Sequence, residues 1–479
     1  MRILFLASEV APFSKTGGLG DVAKALPAAL ARAGHEVRVV TPLYAAVRGD
    51  LSPTDQVLRL RFPFGEERAG LAVARPGPGH EVWFIDHRGY FGRPSLYGTS
   101  WDEHRRFGFF SIAALQAAQR MGFAPDIVHL NDWQTGPAAV ALRSGFAPTA
   151  LGAARSVFTI HNLAYQGNFP KSVMADLGLP WEWFRADGLE FYDTVNFMKG
   201  GIAFADALTT VSPRYAEEIQ TQAYGCMLEG ILRARSDRLT GILNGIDDQE
   251  WDPAQDALLA ARYDARDFSG KAVCKADLRR RFQLPRPEQM SPRPLFASVG
   301  RLAPQKGVDL ILEALPFMLS RSNLEVVILG SGEPRYEHGL AALAARFPGR
   351  VGVELGFDTA LAHRIEAGAD FFLMPSQYEP CGLNQMYSLR YGTPPVVRAT
   401  GGLDNSVRDA ALPDGDGFKF LHFQADALVW AMERALAVWN SPGVLDGMRR
   451  RGMARDFSWR ASAERYQVLY QSLVAGAPG

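Results

Sequence analysis

The fold is decided by residues 2–41, which read RILFLASEVAPFSKTGGLGDVAKALPAALARAGHEVRVVT. The opening run Arg2–Ala7 is short and apolar, which is typical of a parallel strand that is buried on both faces. Over Leu19–Ala33 the apolar residues recur at helical spacing, and Gly34 ends the pattern. A second apolar run follows at Glu36–Thr41, so the stretch predicts a strand–helix–strand unit with parallel strands.

The same alternation of strand and helix patterns continues along the rest of the chain. Further strands are predicted at Asp126–Leu130, Ser156–His161, Ala207–Ser212, Leu295–Val299, Leu324–Leu329, Val351–Leu355, Phe371–Met374 and Pro395–Arg398. Helices are predicted at Asp309–Leu319 and Trp459–Val474. Two such series, one in each half, predict an α/β protein with two doubly wound domains and a cleft between them.

The passage from one series to the next places the domain boundary near residue 245. Domains of 1–245 and 246–456 are expected, and a helix at about 457–479 is expected to pack back on the first domain. The chain turns polar and charged beyond the boundary, and the Pro-rich stretch Leu284–Pro294 is interpreted as a passage between the domains.

The overall composition excludes several classes of protein. The 479 residues carry 51 Lys and Arg against 51 Asp and Glu, and this zero formal charge argues against a dedicated nucleic-acid binder. Three widely spaced cysteines give neither a disulfide framework nor a zinc pattern, which favours a reducing cytosol. No apolar stretch is as long as a membrane span and no signal-peptide pattern is present, so a cytoplasmic location without membrane contact is predicted.

A glycine-rich loop, SKTGGLGD at Ser14–Asp21, joins the first predicted strand to its helix. Its glycines let the backbone come close to a ligand, and Lys15 and the amides of the helix start would attract an anion. A flexible turn with a solvated lysine is the competing interpretation. The tetrapeptide TGGL recurs at Thr400–Leu403, again between a predicted strand and a predicted helix, and the repetition favours an anionic ligand.

Polar side chains also follow two later strands of the first half. Asp132, in the string NDWQ, is interpreted either as the cap of a following helix or as a functional carboxylate. In the second case it would bind sugar hydroxyls or stabilise a cationic transition state. His161 and Asn162 open the segment HNLAYQG, whose side chains suit the recognition of sugar hydroxyls.

Charged side chains follow two predicted strands of the second half. Arg301 and Lys306 share the loop RLAPQKG, and two cations in one such loop suit a diphosphate leaving group. Glu379, in YEPCGLNQ, is predicted to lie just before a helix that has Pro380 in its first turn. A carboxylate there would bind sugar hydroxyls or oppose the positive charge of an oxocarbenium-like state. Cys381 has no adjacent histidine and is interpreted as a packing or lining residue.

With these motifs in this order, the chain resembles bacterial glycogen synthase and plant starch synthase from end to end. The strings KTGGL at Lys15–Leu19 and EPCGL at Glu379–Leu383 are the most specific. The resemblance implies two Rossmann-like domains of the glycosyltransferase B (GT-B) type, with an acceptor-side domain first and a nucleotide-sugar-binding domain second. It further implies that glucose passes from ADP-glucose to the non-reducing end of an α-1,4-glucan such as glycogen, with retention and without a metal or cofactor.

The resemblance also assigns roles to single residues. Those expected at the reaction centre are Glu379, Arg301, Lys306, His161, Asp132 and Asp21. Those expected to contact the substrates are Lys15, Gly18, Asn162, Asn244, Phe357, Cys381, Gly382, Leu383, Thr400 and Gly401. Among them, Arg301 and Lys306 would contact the diphosphate and His161 the glucose, whereas Phe357 would lie beside the adenine.

Several alternatives stay open at this stage. The residues do not distinguish ADP-glucose from UDP-glucose, because adenine and uracil pockets leave no short motif. A sugar-nucleotide epimerase of the same architecture, a glucan phosphorylase and a non-catalytic glucan-binding protein are less favoured. Related retaining transferases carry a second Glu where Tyr387 stands, which favours the synthases, although these frequently have His in place of Gln134. Front-face attack is preferred to a covalent glucosyl-enzyme, and oligomeric state, acceptor length and regulation are left open.

Overall fold

The computed structural model describes residues 1–144, 147–148, 151–285 and 292–476. The chain forms two compact units: it passes from the first to the second after Gly245 and returns to the first after Ser458. Residues 286–291 of the predicted passage between domains at Leu284–Pro294 lie outside the described residues, but both of its described ends, 284–285 and 292–294, belong to the second unit, so the prediction is wrong. A stretch rich in proline and charge can equally connect a helix to a strand within one domain.

Within the described residues, a nine-stranded sheet forms the centre of the first unit. The strands of this unit are β1 (Arg2–Leu6), β2 (Glu36–Pro42), β3 (Ser52–Phe62), β4 (Gly65–Gly77), β5 (His80–Asp86), β6 (Ile127–Asn131), β7 (Arg155–Ile160), β8 (Asn168–Pro170), β9 (Glu190–Phe191), β10 (Thr194–Asn196), β11 (Ala207–Thr210) and β12 (Leu239–Gly241). The order across the sheet is β12-β11-β7-β6-β1-β2-β5-β4-β3, while β8, β10 and β9 form a small antiparallel sheet.

The central strands of this sheet are parallel and fully buried, as the apolar runs predicted. Leu4 of β1 pairs with Arg38 of β2 on one side and with Val128 of β6 on the other. Ile3–Leu6 and Ile127–Asn131 have no exposed surface, which explains why their sequences are nearly continuous in apolar residues. The antiparallel hairpin β3–β4 at the sheet edge was not predicted.

The helices of the first unit connect these strands. They are α1 (Gly18–Arg32), α2 (Arg88–Phe91), α3 (Glu103–Arg120), α4 (Gly136–Ser144), α5 (Val173–Asp176), α6 (Phe197–Phe204), α7 (Pro213–Glu218) and α8 (Glu229–Ala234). Helix α1 has its apolar residues Leu19, Val22, Leu26 and Leu30 buried in the core of the unit, in agreement with the helical spacing of these residues.

In the part of the second unit that the structure describes, a six-stranded parallel sheet forms the centre. Its strands are β13 (Leu295–Val299), β14 (Glu325–Gly330), β15 (Val351–Leu355), β16 (Phe371–Met374), β17 (Pro395–Arg398) and β18 (Phe418–Phe420), in the order β15-β14-β13-β16-β17-β18. Its helices are α9 (Ser269–Arg281), α10 (Val308–Arg321), α11 (Pro334–Arg346), α12 (Thr359–Gly368), α13 (Asn384–Arg390), α14 (Gly401–Ser406), α15 (Ala425–Trp439) and α16 (Pro442–Met453).

The last helix, α17 (Trp459–Ala475), belongs to the first unit. Trp459, Tyr466 and Tyr470 are buried in the same core cluster as α1. The Tyr470 hydroxyl lies 2.6 Å from Nδ1 of His129, a fully buried residue of β6. Across the described ranges, no helix is both long and apolar enough to cross a membrane.

Candidate active site

The strand order of each sheet identifies where a ligand is expected. In the first unit the chain continues from β1 to β2 on one side and later to β6 and β7 on the other; in the second it continues from β13 to β14 and later to β16 and β17. Open parallel sheets bind ligands at the carboxyl ends of the strands beside such a reversal. The loops after β1 and β6 in the first unit, and those after β13 and β16 in the second, are therefore the candidate ligand-binding loops of each unit.

The loop after β1 carries the first predicted cation. The Lys15 ammonium group lies 2.7 Å from Oδ1 of Asp21, and the lysine side chain is 48% exposed. Helix α1 begins at Gly18, one residue before the predicted start at Leu19, and a Cβ at Gly17 or Gly18 would meet no atom within 4 Å. The loop therefore presents a cation and an uncrowded backbone at a helix N-terminus, where anions are favoured.

A residue that the sequence reasoning missed fixes this loop. Glu9 is 3% exposed, and its carboxylate accepts hydrogen bonds from the backbone and hydroxyl of Thr16 and from the amide of Gly17. Tyr97 donates a further hydrogen bond of 2.7 Å to the same carboxylate. The only available signal was a charged residue three positions after the buried strand β1.

Asp132 follows β6 in a strained backbone conformation. Its φ angle is 56°, in the left-handed region that non-glycine residues rarely occupy. The carboxylate accepts a hydrogen bond of 2.8 Å from the amide of His161 and makes no capping bond to the turn at Trp133–Thr135. Asp132 is the N-cap residue of that turn by position, but its side chain makes no capping bond, so the interpretation of its carboxylate as a helix cap is wrong. Burial raises the pKa of this carboxyl to about 7, against the opposing effect of backbone amides at His161 and Asn162.

His161 follows β7, and the imidazole ring is held in one orientation. Its Nε2 lies 2.8 Å from Oδ1 of Asn131, whose own amide nitrogen donates to the carbonyl of Leu6. Burial lowers the pKa of His161 to about 3, so the ring is neutral. Because Oδ1 of Asn131 can only accept, Nε2 carries the proton and Nδ1 is a hydrogen-bond acceptor.

Two amides complete the predicted residues of the first unit. Asn162 is half-buried, and its side chain accepts a hydrogen bond of 3.1 Å from the amide of Ala164. Asn244 lies just before the chain leaves the unit, is 6% exposed, and its Oδ1 has no hydrogen-bond partner within the described residues. A buried amide oxygen without a partner is costly unless a ligand or water supplies a donor.

The loops after β13 and β16 bring Lys306 and Glu379 together in the second unit. The ammonium group of Lys306 lies 2.6 Å from Oε2 of Glu379, to which Ser376 donates a hydrogen bond of 3.1 Å. The Glu379 side chain is 7% exposed and that of Lys306 26%, so the pair is largely removed from water. Ser376 is a further residue that the sequence reasoning did not select.

The second predicted cation of this unit, Arg301, is exposed, and its guanidinium lies 3.3 Å from Oε1 of Gln305. Gln305 in turn donates to the carbonyl of Tyr378, next to Glu379. Gly307 ends the loop with a φ of 68°, and a Cβ there would lie 2.1 Å from the carbonyl oxygen of Pro375. Only glycine therefore allows the loops after β13 and β16 to approach each other so closely.

The string after Glu379 forms a turn and not the predicted first helical turn. Helix α13 begins at Asn384 with Leu383 as its N-cap, so the placement of Pro380 in a helix is wrong. Gly382 has a φ of 70°, which favours glycine, while Cys381 is buried. The turn keeps Glu379 at the strand end, where the Lys306 loop meets it.

The second TGGL string opens helix α14 as predicted. Thr400 is the N-cap residue and is fully buried, and Gly401 has a φ of 45°. A Cβ at Gly401 would lie 2.0 Å from the carbonyl oxygen of Glu379. The amide of Gly402 donates to the same oxygen at 3.0 Å, so the loops after β16 and β17 are joined at this point.

Phe357 follows β15 and stands apart from these contacts. Its side chain is 90% exposed, directly after Gly356, whose φ is 146°. An exposed aromatic ring beside a strand end is available for stacking on a flat ligand. No group of three or more His, Cys, Asp or Glu residues that could hold a metal ion occurs in the portion of the chain that is described.

Family comparison gives a consistent result for both units. Residues 2–234 match the family described as starch synthase catalytic domain, and residues 280–445 match glycosyl transferases group 1. A glycogen synthase of Myxococcus xanthus is 59% identical over 99% of this chain and 100% of its own length. A glycogen synthase of Koribacter versatilis is 45% identical over 98% of each chain.

Two solved structures show the same fold. The catalytic domain of starch synthase IV from Arabidopsis thaliana, bound to ADP and acarbose, superimposes with a TM-score of 0.91 at 37% identity, covering 99% of each chain. Sucrose-phosphate synthase from Thermosynechococcus elongatus, at 19% identity and a TM-score of 0.63 over 99% of this chain and 100% of its own, shares the fold alone. The predicted fold class, two Rossmann-like domains of the GT-B type, is confirmed. The chain therefore belongs to the family of bacterial glycogen synthases and plant starch synthases and is a glycosyltransferase.

Proposed function

We propose that this chain transfers glucose from ADP-glucose to the non-reducing end of an α-1,4-glucan such as glycogen, with retention of configuration and release of ADP. The observation that carries the proposal is the part-buried Lys306–Glu379 pair, with Arg301 in the same loop as Lys306, at the strand ends where the second unit is expected to bind a ligand. The solved starch synthase IV, similar over the whole chain, holds ADP and acarbose, which supports an adenine nucleotide and a glucan as ligands here too.

The second unit supplies the groups that recognise the donor. Lys306 and Arg301 offset the charge that develops on the departing diphosphate, which is the largest electrostatic demand of the reaction. Glu379 holds the Lys306 ammonium group in place through the contact of 2.6 Å. The turn of Cys381, Gly382 and Leu383, together with Thr400 and Gly401, lines the phosphates or sugar, and Phe357 stacks on the adenine.

The first unit supplies the groups for the sugars. Nδ1 of His161, an acceptor in the tautomer fixed by Asn131, receives a hydrogen bond from a glucose hydroxyl. Asn162 and Asn244 offer amide groups to further hydroxyls, and Oδ1 of Asn244, which has no partner among the described residues, gains a donor. Lys15 and Gly18 contact the donor, and Asp132 and Asp21 provide carboxylates near the reacting carbon.

The mechanism that fits these groups is a front-face substitution. The bond between C1 of glucose and the phosphate oxygen breaks as the acceptor hydroxyl forms a bond to C1 on the same face, and the leaving phosphate takes the hydroxyl proton. A covalent glucosyl-enzyme is less favoured because Oε2 of Glu379 already contacts Lys306 and Ser376. No metal ion or resident cofactor takes part in this proposal, and a cytoplasmic location is expected.

The test is to incubate the full chain with labelled ADP-glucose or UDP-glucose, each with and without glycogen, and to determine which glycosidic bonds of the products carry the label. The proposal predicts label in new α-1,4 bonds, one ADP per glucose, and a strong preference for the ADP donor. Preference for UDP-glucose would change the identity of the donor and leave the rest of the proposal in place. Conversion of the free nucleotide sugar without glycogen would reveal an epimerase and overturn the proposal.

A further inference from the structure

We infer that Glu9 and Tyr97 are positioning residues that hold the loop Lys15–Gly18 in its donor-binding form. The inference rests on the proposed function, because it concerns how that loop recognises the donor. Neither residue is assigned a contact with substrate. They act by positioning Lys15, whose ammonium group must be oriented toward the donor although the loop that carries it is rich in glycine.

The contacts of Glu9 use both oxygens of the carboxylate. Oε2 accepts from the amides of Thr16 at 2.5 Å and Gly17 at 3.1 Å. Oε1 accepts from the hydroxyl of Thr16 at 2.8 Å and from Tyr97 at 2.7 Å. The Tyr97 hydroxyl also lies 2.8 Å from Oγ of Ser8, so both side chains are fixed at the end of β1.

These contacts determine which parts of the loop remain for a ligand. Because the amides of Thr16 and Gly17 already bind Glu9, an anion is bound by Lys15 and by the backbone from Gly18 onward. The space beside Gly17 and Gly18 is open, since a Cβ at either position would meet no atom within 4 Å. The hydrogen bonds that Thr16 and Gly17 donate to Glu9 therefore orient the inner side of the loop and leave its outer side accessible.

The stem of Lys15 is positioned by the same arrangement. A Cβ at Gly20 would lie 3.1 Å from Cγ of Lys15, so the lysine stem packs closely over the start of α1. The carbonyl of Gly20 accepts a hydrogen bond of 3.0 Å from the amide of Ala11, which joins the helix start to the segment after Glu9. Loss of the Glu9 contacts would free the loop on one side, so the backbone that carries the Lys15 side chain would no longer be held in one position.

The charge of Glu9 also reaches Asp132. The pKa of Asp132 is raised mainly by burial and, to a lesser degree, by the negative charge of Glu9. His161, the titratable neighbour of Asp132, is neutral because burial lowers its pKa to about 3. Removal of the Glu9 charge alone should therefore move the titration of Asp132 to lower pH.

Two substitutions separate the charge from the contacts. In Glu9→Gln the side-chain oxygen can still accept hydrogen bonds from the backbone amides of Thr16 and Gly17. The side-chain nitrogen can donate to the hydroxyls of Thr16 and Tyr97, since hydroxyls also accept. Glu9→Ala removes every contact. Asp206→Ala is the matched control, because Asp206 accepts from the amide and hydroxyl of Ser156 at 2.8 and 2.9 Å, at the start of β7 and away from the predicted loops.

The experiment is a double-mutant cycle of Glu9→Ala with Lys15→Ala, measured both by kcat/KM for ADP-glucose and by calorimetric binding of ADP. Charge-assisted hydrogen bonds of this kind lead us to expect a loss of about 10–100-fold in kcat/KM for Glu9→Ala. That loss should shrink to about 3-fold or less in the Lys15→Ala background, because the positioned group is absent. Tyr97→Phe should give a smaller loss of kcat/KM with the same dependence on Lys15, and it replaces Glu9→Ala in the cycle if that variant fails to fold.

Glu9→Gln should keep kcat/KM within about 5-fold of wild type and shift its acidic limb to lower pH. Effects of Glu9→Ala that are equal in both backgrounds, or no larger than those of Asp206→Ala, would overturn the inference. A wild-type protein that binds ADP but transfers no glucose would instead contradict the proposed function. The double-mutant cycle measured by ADP binding would then still decide the role of Glu9.

Discussion

Replacing Lys306 by alanine is the perturbation that bears most closely on the candidate ligand-binding loops of the second unit. The substitution removes a cation that lies 2.6 Å from Oε2 of Glu379. It leaves a carboxylate that is 7% exposed, with the Ser376 hydroxyl, at 3.1 Å, as the remaining donor described for it. Two effects are expected: a loss of turnover, since the diphosphate loses a preorganised cation, and a loss of stability, since a buried charge loses its partner.

The two effects have different magnitudes. Loss of one preorganised electrostatic partner typically lowers kcat by about 100–1,000-fold, so we expect at least ~100-fold. Breaking a buried ion pair costs about 3–5 kcal/mol. Because the Lys306 side chain is 26% exposed and Ser376 still donates to Glu379, we expect a cost of about 2 kcal/mol here. In a unit of this size that cost lowers Tm by about 4–8 °C.

Adding Glu379→Gln to Lys306→Ala separates stability from catalysis. The double variant no longer buries a charge, so it should regain much of the lost Tm, whereas its turnover should stay low. Scanning calorimetry and initial rates of ADP release measure the two quantities, with Lys171→Ala as the control for an exposed ion pair, that with Asp193. Near-normal turnover in Lys306→Ala, or a double variant less stable than either single variant, would refute this reasoning.

Three further predictions concern single residues. Gly401→Ala should destabilise the protein by more than about 2 kcal/mol and lower activity, because its Cβ would meet the Glu379 carbonyl at 2.0 Å; Gly443→Ala, with open space around it, should be neutral by calorimetry. Asp132 has a folded pKa of about 7 against an ordinary value of 3.8, so it binds a proton more readily in the folded state. Its contribution to stability should therefore fall as pH rises from about 4 to 7, and urea titrations should show this decline weakened in Asp132→Asn. Phe357→Ala should leave Tm unchanged, since the ring is 90% exposed, and should raise KM for ADP-glucose by about 3–10-fold if the ring stacks on the adenine as proposed; an unchanged KM would remove it from the donor site.

The sequence predicted the parallel strands well because burial on both faces leaves a clear mark. Arg2–Leu6 and Phe371–Met374 are nearly continuous apolar runs, and the structure has strands there. The hairpin β3–β4 escaped prediction because strands with one face in solvent are rich in charge, as Arg59–Arg61 and Glu66–Arg68 show. In that region the apolar signal is weak and the pairing partner decides the structure.

The strand ends of the candidate site were also predictable, since parallel strands place their following loops at one edge of a sheet. The contacts within it were not. Nothing in the spacing of Lys306 and Glu379 along the chain indicates that they meet, and Glu9 acts through backbone amides that carry no sequence signal. The helix expected at Pro380 failed because Gly382 adopts a positive φ, which ends any helical continuation before Asn384.

Glucose transfer with retention can be followed in a time course of the wild-type reaction by nuclear magnetic resonance. The donor is ADP-glucose labelled with carbon-13 at C1, and the acceptor is glycogen. We expect the donor signal to be replaced by that of an α-configured C1 in a 1→4 bond, with one ADP released for each bond from the first measurable turnover. A β-configured product, or release of free glucose in place of transfer, would contradict the proposed reaction.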